Sequence, residues 1–230
     1  MSIVKIFTAL LAKLPATLLF VTLAWILGLF LGVLVTAGRL SHFRILRSVL
    51  NVYVSFIRSI PMVLQLFLIY YGLPMLLSLF KINTNGVNKL VFCGIAFSLY
   101  YGAYLSEVLR PAYQSVDRSQ REAAIAAGYN RWQVETKIMI PQAIPIALPS
   151  LGNEVLNMLH QSSLLFTLGV VDIMGQAQQT IDQNYTVNPV LVYFLAGGVY
   201  LIITLLIEML RRGLEKRTGR FLRVGGETNE

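Results

Sequence analysis

Glu154 is the one acid in an otherwise apolar stretch, residues 138–171, and polar residues recur around it at helical spacing. At 100° per residue, Ser150, Asn153, Glu154, Asn157, His160, Gln161 and Thr167 fall within an arc of roughly 140° on one helix face. Glu154 can accept from an ammonium, while Asn157, His160 and Gln161 can donate to a carboxylate or to other polar groups. That set suits reversible binding of a small charged solute. A plainer role, hydrogen bonding to neighbouring helices, covers Ser162 and Ser163, which fall off the stripe, and also suits Asn153. It fits Glu154 less well, because an acid deep in a membrane costs about 2.5–3.5 kcal/mol on insertion scales and usually lines a pathway.

Other chemistries find no support in the sequence. Cys93 is the single cysteine, and His42 and His160 lack the partners of a zinc site. No H-E-x-x-H, G-x-S-x-G or G-x-x-x-x-G-K-[ST] pattern occurs, so the chain is expected to be no enzyme, to hold no metal or cofactor, and to cradle no ATP.

The elements that must position the stripe are membrane helices. The 230 residues are 56% hydrophobic and only 13% charged, about half the charged content of a soluble domain. Residues 14–38, 59–80, 90–106 and 183–207 carry no Asp, Glu, Lys or Arg, each near the length a bilayer requires. Residues 138–171 make a fifth apolar segment, interrupted by Glu154 and by Pro141, Pro145 and Pro149. The three prolines predict an irregular stretch over 141–148 and a helix starting near Pro149, which puts His160 and Gln161 about 16–18 Å along it. The fold class expected is an all-α polytopic membrane helical bundle, one domain, with spans near 14–38, 52–80, 88–110, 149–171 and 187–210. Ile3, Phe7, Leu10 and Leu14 predict a short surface helix ahead of the first span. Gly28 with Gly32, and Ala196 with Gly197 and Gly198, read as close-packing sites.

The net charge of +8 is distributed unevenly. With five spans, all 19 Lys and Arg except Lys5, Lys13, Lys81 and Lys89 fall on one side. The positive-inside rule makes that side cytoplasmic, with the N-terminus outside and the C-terminus inside. The basic residues, including the tail at 211–223, are then expected to meet lipid head groups, and no nucleic acid is called for.

On that side lies a polar loop, 111–148. Ser119 with Glu122, and Asn130 with Gln133, read as capping boxes, and Gly128 as a left-handed corner between two short helices, the second ending at Pro141. Helices this short are marginal alone and must pack on something.

Glu122-Ala123-Ala124, then Gly128, then nine residues before "IMIP" resembles the EAA motif of bacterial ABC-importer permeases. "YVSFIRSIPMVLQLFLIYYGLP", with Ile60 where the family usually has threonine and Ser59 where it has glycine, "YGAYLSEVLRPAYQSV" and "LPSLGNEVLNMLHQSSL" resemble the polar amino-acid branch of that family, over roughly residues 10–215. The resemblance implies a coupling loop, with Glu122, Ala123, Ala124 and Gly128 meeting a separate ATP-binding subunit present in two copies. It also implies a second permease subunit, identical or similar, and an external amino-acid-binding protein. A mid-membrane amino-acid site is implied beside 149–171, with Glu154, Asn157, His160, Gln161 and Ser162 as contacts. "TLGVVDIMGQAQ" resembles members handling cystine and related sulfur amino acids. The alternative is an autonomous secondary transporter or channel, for which inverted repeats would be expected and are not seen.

Overall fold

The structure is a computed structural model that describes residues 2–223, with side chains as far as residue 216. Every regular element among the described residues is helical. In chain order these are α1 (Ile3–Leu11), α2 (Leu14–Leu40), α3 (Arg44–Ser59), α4 (Met62–Phe67), α5 (Leu73–Leu79), α6 (Lys89–Gln114), α7 (Arg118–Ala126), α8 (Arg131–Val134), α9 (Ile140–Ser162), α10 (Ile173–Gln183) and α11 (Pro189–Arg223). A π-helical turn, Leu68–Gly72, joins α4 to α5; another, Glu135–Met139, joins α8 to α9; a 3-10 turn, Ser163–Leu168, follows α9.

The bundle is built around α6. Phe97, Tyr101, Ala103 and Leu105 on it are fully buried, and α2, α3, α4 and α9 all pack against it. Its closest neighbour is α2, because glycines face each other. A Cβ at Gly28 would lie 3.0 Å from Tyr101 Cβ, at Gly32 2.9 Å from Leu105 Cβ, and at Gly102 2.9 Å from Leu31 Cβ. Small residues at such a seam let two backbones approach where lipid supplies no hydrophobic drive. In α11 the same expectation fails in part: Ala196 is buried, but a Cβ at Gly197 or Gly198 would meet nothing within 4 Å.

Among the described residues, four helical segments are long and apolar enough to cross a membrane: Ile3–Leu40, Met62–Leu79, Lys89–Gln114 and Pro189–Lys216. The polar stripe keeps α9 out of that set. Around α6, the other three segments turn most of their surface outward. The short helix α1 buries Ile6 and Leu10, rather than Ile3, against α10 and α11.

Two expected segments fold differently. Residues 52–80 are not one helix: α3 ends at Ser59, Ile60 is extended, and α4 starts after Pro61. Proline removes a donor there, and the buried amide of Gln65 donates to the carbonyls of Ile57 (2.5 Å) and Ile60 (2.9 Å), which stabilises the break. Residues 141–148, expected to be irregular, belong to α9, which runs unbroken through Pro145 and Pro149. Pro141 is the second residue of α9 and directly follows the π-helical turn, where the regular bonding pattern is already interrupted. The other two are spaced four apart, so their missing bonds fall along one strip, and a helix can bend there instead of stopping. Pro141 was expected to end the second loop helix, whereas that helix runs through the π turn into α9 and on past it.

Candidate functional site

Two polar regions stand out from the apolar bundle. The first is the 115–139 segment. Asp117, in extended backbone, caps α7 by accepting from the Ser119 amide at 2.9 Å. The capping box expected from Ser119 and Glu122 does not form, because Asp117, two residues earlier, takes the role. The Ser119 amide holds the Asp117 carboxyl below the usual aspartate range. At the other end of α7, Gly128 N donates to Ile125 O (3.0 Å) and Tyr129 N to Ala124 O (3.1 Å). Those two bonds are a Schellman ending, and Gly128 sits at φ +86° as the corner requires. Asn130 and Gln133 then form the expected box, each bond 2.9 Å.

Of the four residues the motif names, Glu122, Ala123 and Gly128 face outward and Ala124 does not. Ala124 is buried and packs with Val116, Val134, Met139 and Ala143, so it holds α7 to its own chain. Ile125 and Trp132 are exposed, Trp132 at 75%. Sequence reasoning passed over both; the signal was a large apolar residue on a polar surface loop.

The second region is the face of α9 that carries Glu154. Glu154 is half-buried, with the Asn157 side chain acting on its carboxylate and the Arg58 charge at longer range. The Tyr100 hydroxyl interacts with Gln161. Tyr100 and Tyr104 stack at 4.5 Å between centroids, and the Arg58 guanidinium lies 5.6 Å from the Tyr104 ring. The buried Tyr101 hydroxyl and Gln161 Oε1 have no hydrogen-bond partner among the described residues. An acid, an arginine and two unpartnered polar atoms thus surround a wall of tyrosines.

Of the five sequence candidates, Glu154, Asn157 and Gln161 come together. His160 turns to α11, where its Nε2 lies 3.0 Å from Thr204 Oγ1. Ser162 is fully buried and donates to Leu159 O at 2.7 Å. The helical wheel accounts for this: His160 and Ser162 lie about 120° and 80° to opposite sides of Glu154. Sequence reasoning missed Arg58 and Tyr100, Tyr101 and Tyr104. The i, i+4 pair Tyr100 and Tyr104 is a readable signal, whereas Arg58 enters the sequence reading through the charge asymmetry and the family resemblance, with no role at the site.

Two further clusters brace these regions. Glu107 meets Arg39 at 2.5 Å, Arg58 at 3.1 Å and Arg110 at 3.8 Å, joining α2, α3 and α6. Arg211 of α11, held by Glu208 at 2.6 Å and Glu215 at 2.7 Å, lies across Gly152 of α9, where a Cβ would be 2.2 Å from its Cδ.

Comparison with known proteins agrees with this architecture. Residues 7–220 match the family described as binding-protein-dependent transport system inner membrane component. The L-cystine transport system permease protein TcyL of Bacillus subtilis is 34% identical over 207 residues, covering 90% of this chain and 85% of its own. The nopaline transport system permease protein NocM of Agrobacterium fabrum is 38% identical over 211 residues, covering 90% and 87%. The crystal structure of an amino acid ABC transporter with histidines superposes at TM-score 0.81 and 29% identity, covering 93% of this chain and 96% of that one. The inward-facing MetNI methionine ABC transporter shares the fold, at TM-score 0.67 and 16% identity, over 95% and 99% of the two chains. Matched over nearly its whole length by that profile and by these relatives, this multi-pass membrane chain belongs to the family of binding-protein-dependent transport system inner membrane components.

Proposed function

We propose that this chain is the permease subunit of an ATP-driven amino-acid importer, with ATP bound and hydrolysed by a separate subunit. The observation that carries the reading is the 118–139 segment: a capped helix, a Schellman corner at Gly128 and outward Glu122, Ala123, Ile125 and Trp132, a unit suited to seat in a partner's groove. Two ATP-binding subunits dock on the two copies of this unit, one in each permease of a homodimer or of a pair with a similar chain. An external binding protein delivers the solute on the side where the N-terminus lies, and the arginine-rich end is cytoplasmic.

The solute is an amino acid, a reading supported by relatives named for cystine, nopaline and glutamine. Cystine and related sulfur amino acids are its preferred class, in keeping with the resemblance over 167–178. In the site, Glu154 receives the ammonium, Asn157 and Gln161 offer amides, and Arg58 meets the carboxylate. His160 and Ser162 stand on the flanks, one on α11 and one in the core, and act on the solute by orienting α9.

Reconstitution in proteoliposomes tests the reading. Labelled cystine and glutamine are offered with the permease alone, with the ATP-binding subunit, and with both that subunit and the binding protein. Uptake is expected only in the last, and only with ATP inside the cytoplasmic face. Uptake by the permease alone under an ion gradient would establish the autonomous transporter instead.

A further inference from the structure

Three polar side chains from three elements close a triangle beside the α7 corner. Tyr113, near the end of α6, donates its hydroxyl to Glu135 Oε2 at 2.7 Å. Arg121 of α7 donates through Nη2 to Glu135 Oε1 at 2.5 Å and also to the Tyr113 hydroxyl. Glu135 opens the π-helical turn that makes α8 and α9 one continuous rod. Glu154 rides on that rod 19 residues further along, about 29 Å at helical rise.

We propose that the Tyr113–Arg121–Glu135 triangle is a positioning staple, which makes α7 move as one body with the end of α6 and the root of α9. The proposal rests on the reading of α7 as the element a partner ATPase moves. Apart from the triangle, α7 is joined to α9 by the chain around Gly128, with Lys137 over the Tyr129 ring at 5.8 Å, and by the apolar contacts of Ala124 with Val134, Met139 and Ala143. Apolar contacts hold two surfaces together yet let them slide, because they have no directional preference. One guanidinium nitrogen shared between a carboxylate oxygen and a hydroxyl that itself donates to the other carboxylate oxygen closes a ring of directional bonds, which fixes orientation as well as distance. The side chains of Arg121 and Glu135 are 41% and 31% exposed, so the pair adds little to stability. What it supplies is direction: a pull on α7 turns the α9 root, and with it the face bearing Glu154. The π turn at the junction is the kind of helix irregularity found where a rod must be re-aimed.

The test uses the assembled transporter and three variants: Arg121→Glu, Glu135→Arg and the double variant carrying both. Amino acid transported per ATP hydrolysed is expected to fall about threefold to tenfold in each single variant and to recover in the double variant. Substrate KM and co-purification of the ATP-binding subunit should stay at wild-type values. A wild-type transport ratio in the single variants overturns the proposal. So does a double variant no better than its parents, or a loss explained by poorer assembly. A second measurement does not depend on transport. Spin labels at Ala126 and Ile144 of the full chain in lipid nanodiscs should give a broader distance distribution in the single variants and a narrow one in the double variant. If the labels behave so while ATP drives no uptake, the importer reading fails and the staple stands. If ATP drives uptake while ratio and distances are unchanged, the staple fails alone.

Discussion

The loop at 115–139 and the polar face of α9 are both islands of polarity in an apolar chain, and they are held in opposite ways. The loop is fixed by bonds between near neighbours: Asp117 to Ser119, Gly128 to Ile125, Tyr129 to Ala124, Asn130 to Gln133. The α9 face is completed by residues far away in the chain, Tyr100 and Arg58 across from Glu154, and Thr204 opposite His160. One region carries its own geometry; the other borrows it from the packing of α3, α6 and α11. Changes in the loop should therefore act through backbone conformation, and changes on α9 through lost charge and donors.

The largest effect that sharpens this contrast is expected at Glu154. Glu154→Gln keeps shape and removes the charge that would face an ammonium. A hydrogen bond to a charged group is worth about 1.5–3 kcal/mol, so uptake per assembled complex should fall on the order of tenfold to a hundredfold. The binding protein's affinity for the amino acid should not change. Wild-type uptake per complex would remove Glu154 from the site, and a loss confined to complex assembly would make it a packing residue.

Gly128 is the counterpart in the loop. A Cβ there would meet nothing within 4 Å, so any loss on substitution comes from the backbone at φ +86° rather than from crowding within the chain. A non-glycine residue in that region costs about 1–2 kcal/mol, more for a β-branched one, and asparagine tolerates it best. ATP-driven uptake should fall about tenfold in Gly128→Val, less in Gly128→Ala and least in Gly128→Asn, with membrane insertion unaffected. An equal loss in all three would point to a partner surface pressed against the glycine, and the contrast with α9 would collapse.

The same difference governs what could be read from the sequence. Gly128, the Asn130–Gln133 box, and the glycine seam of Gly28 and Gly32 depend on a few adjacent residues or on one helical repeat, and the structure has each of them. The α9 stripe could be read as a face but not resolved into contacts: His160 on it meets α11, and Ser162, off it, meets the core, which no periodicity reveals. The break at Pro61 depends on Gln65 reaching back to Ile57 and Ile60, and a side chain that serves remote carbonyls looks like any other glutamine in the sequence. The continuity of α9 through Pro145 and Pro149 shows the converse, a strong local signal overridden by a helix that bends. Ala124 was grouped with Ala123 because the motif groups them, and only the fold separates the buried alanine from the exposed one.

The smallest expected effect tests whether the loop is as local as its bonds imply. Asp117 and Ser119 are two residues apart, and both residue types cap helices well. Asp117 accepts from the Ser119 amide, and the Ser119 hydroxyl acts on the same carboxylate as the lesser partner. In Asp117→Ala, amide exchange across Arg118–Ala126 should speed up about fivefold in the assembled complex, while Ser119→Ala, which keeps the amide bond, should speed it up less. Asp117→Asn should behave like the wild type, because asparagine can accept the same bond without charge. The pH dependence follows from the direction of the Asp117 shift. Its folded carboxyl lies below the usual aspartate value, so its contribution is complete above that value and is lost only as pH falls through the folded one. Protection of α7, corrected for intrinsic exchange, should therefore be flat between about pH 8 and pH 5.5. A slope in that window would mean that a group outside the cap controls α7, and equal losses in Asp117→Ala and Ser119→Ala would restore the capping box that the sequence alone suggests.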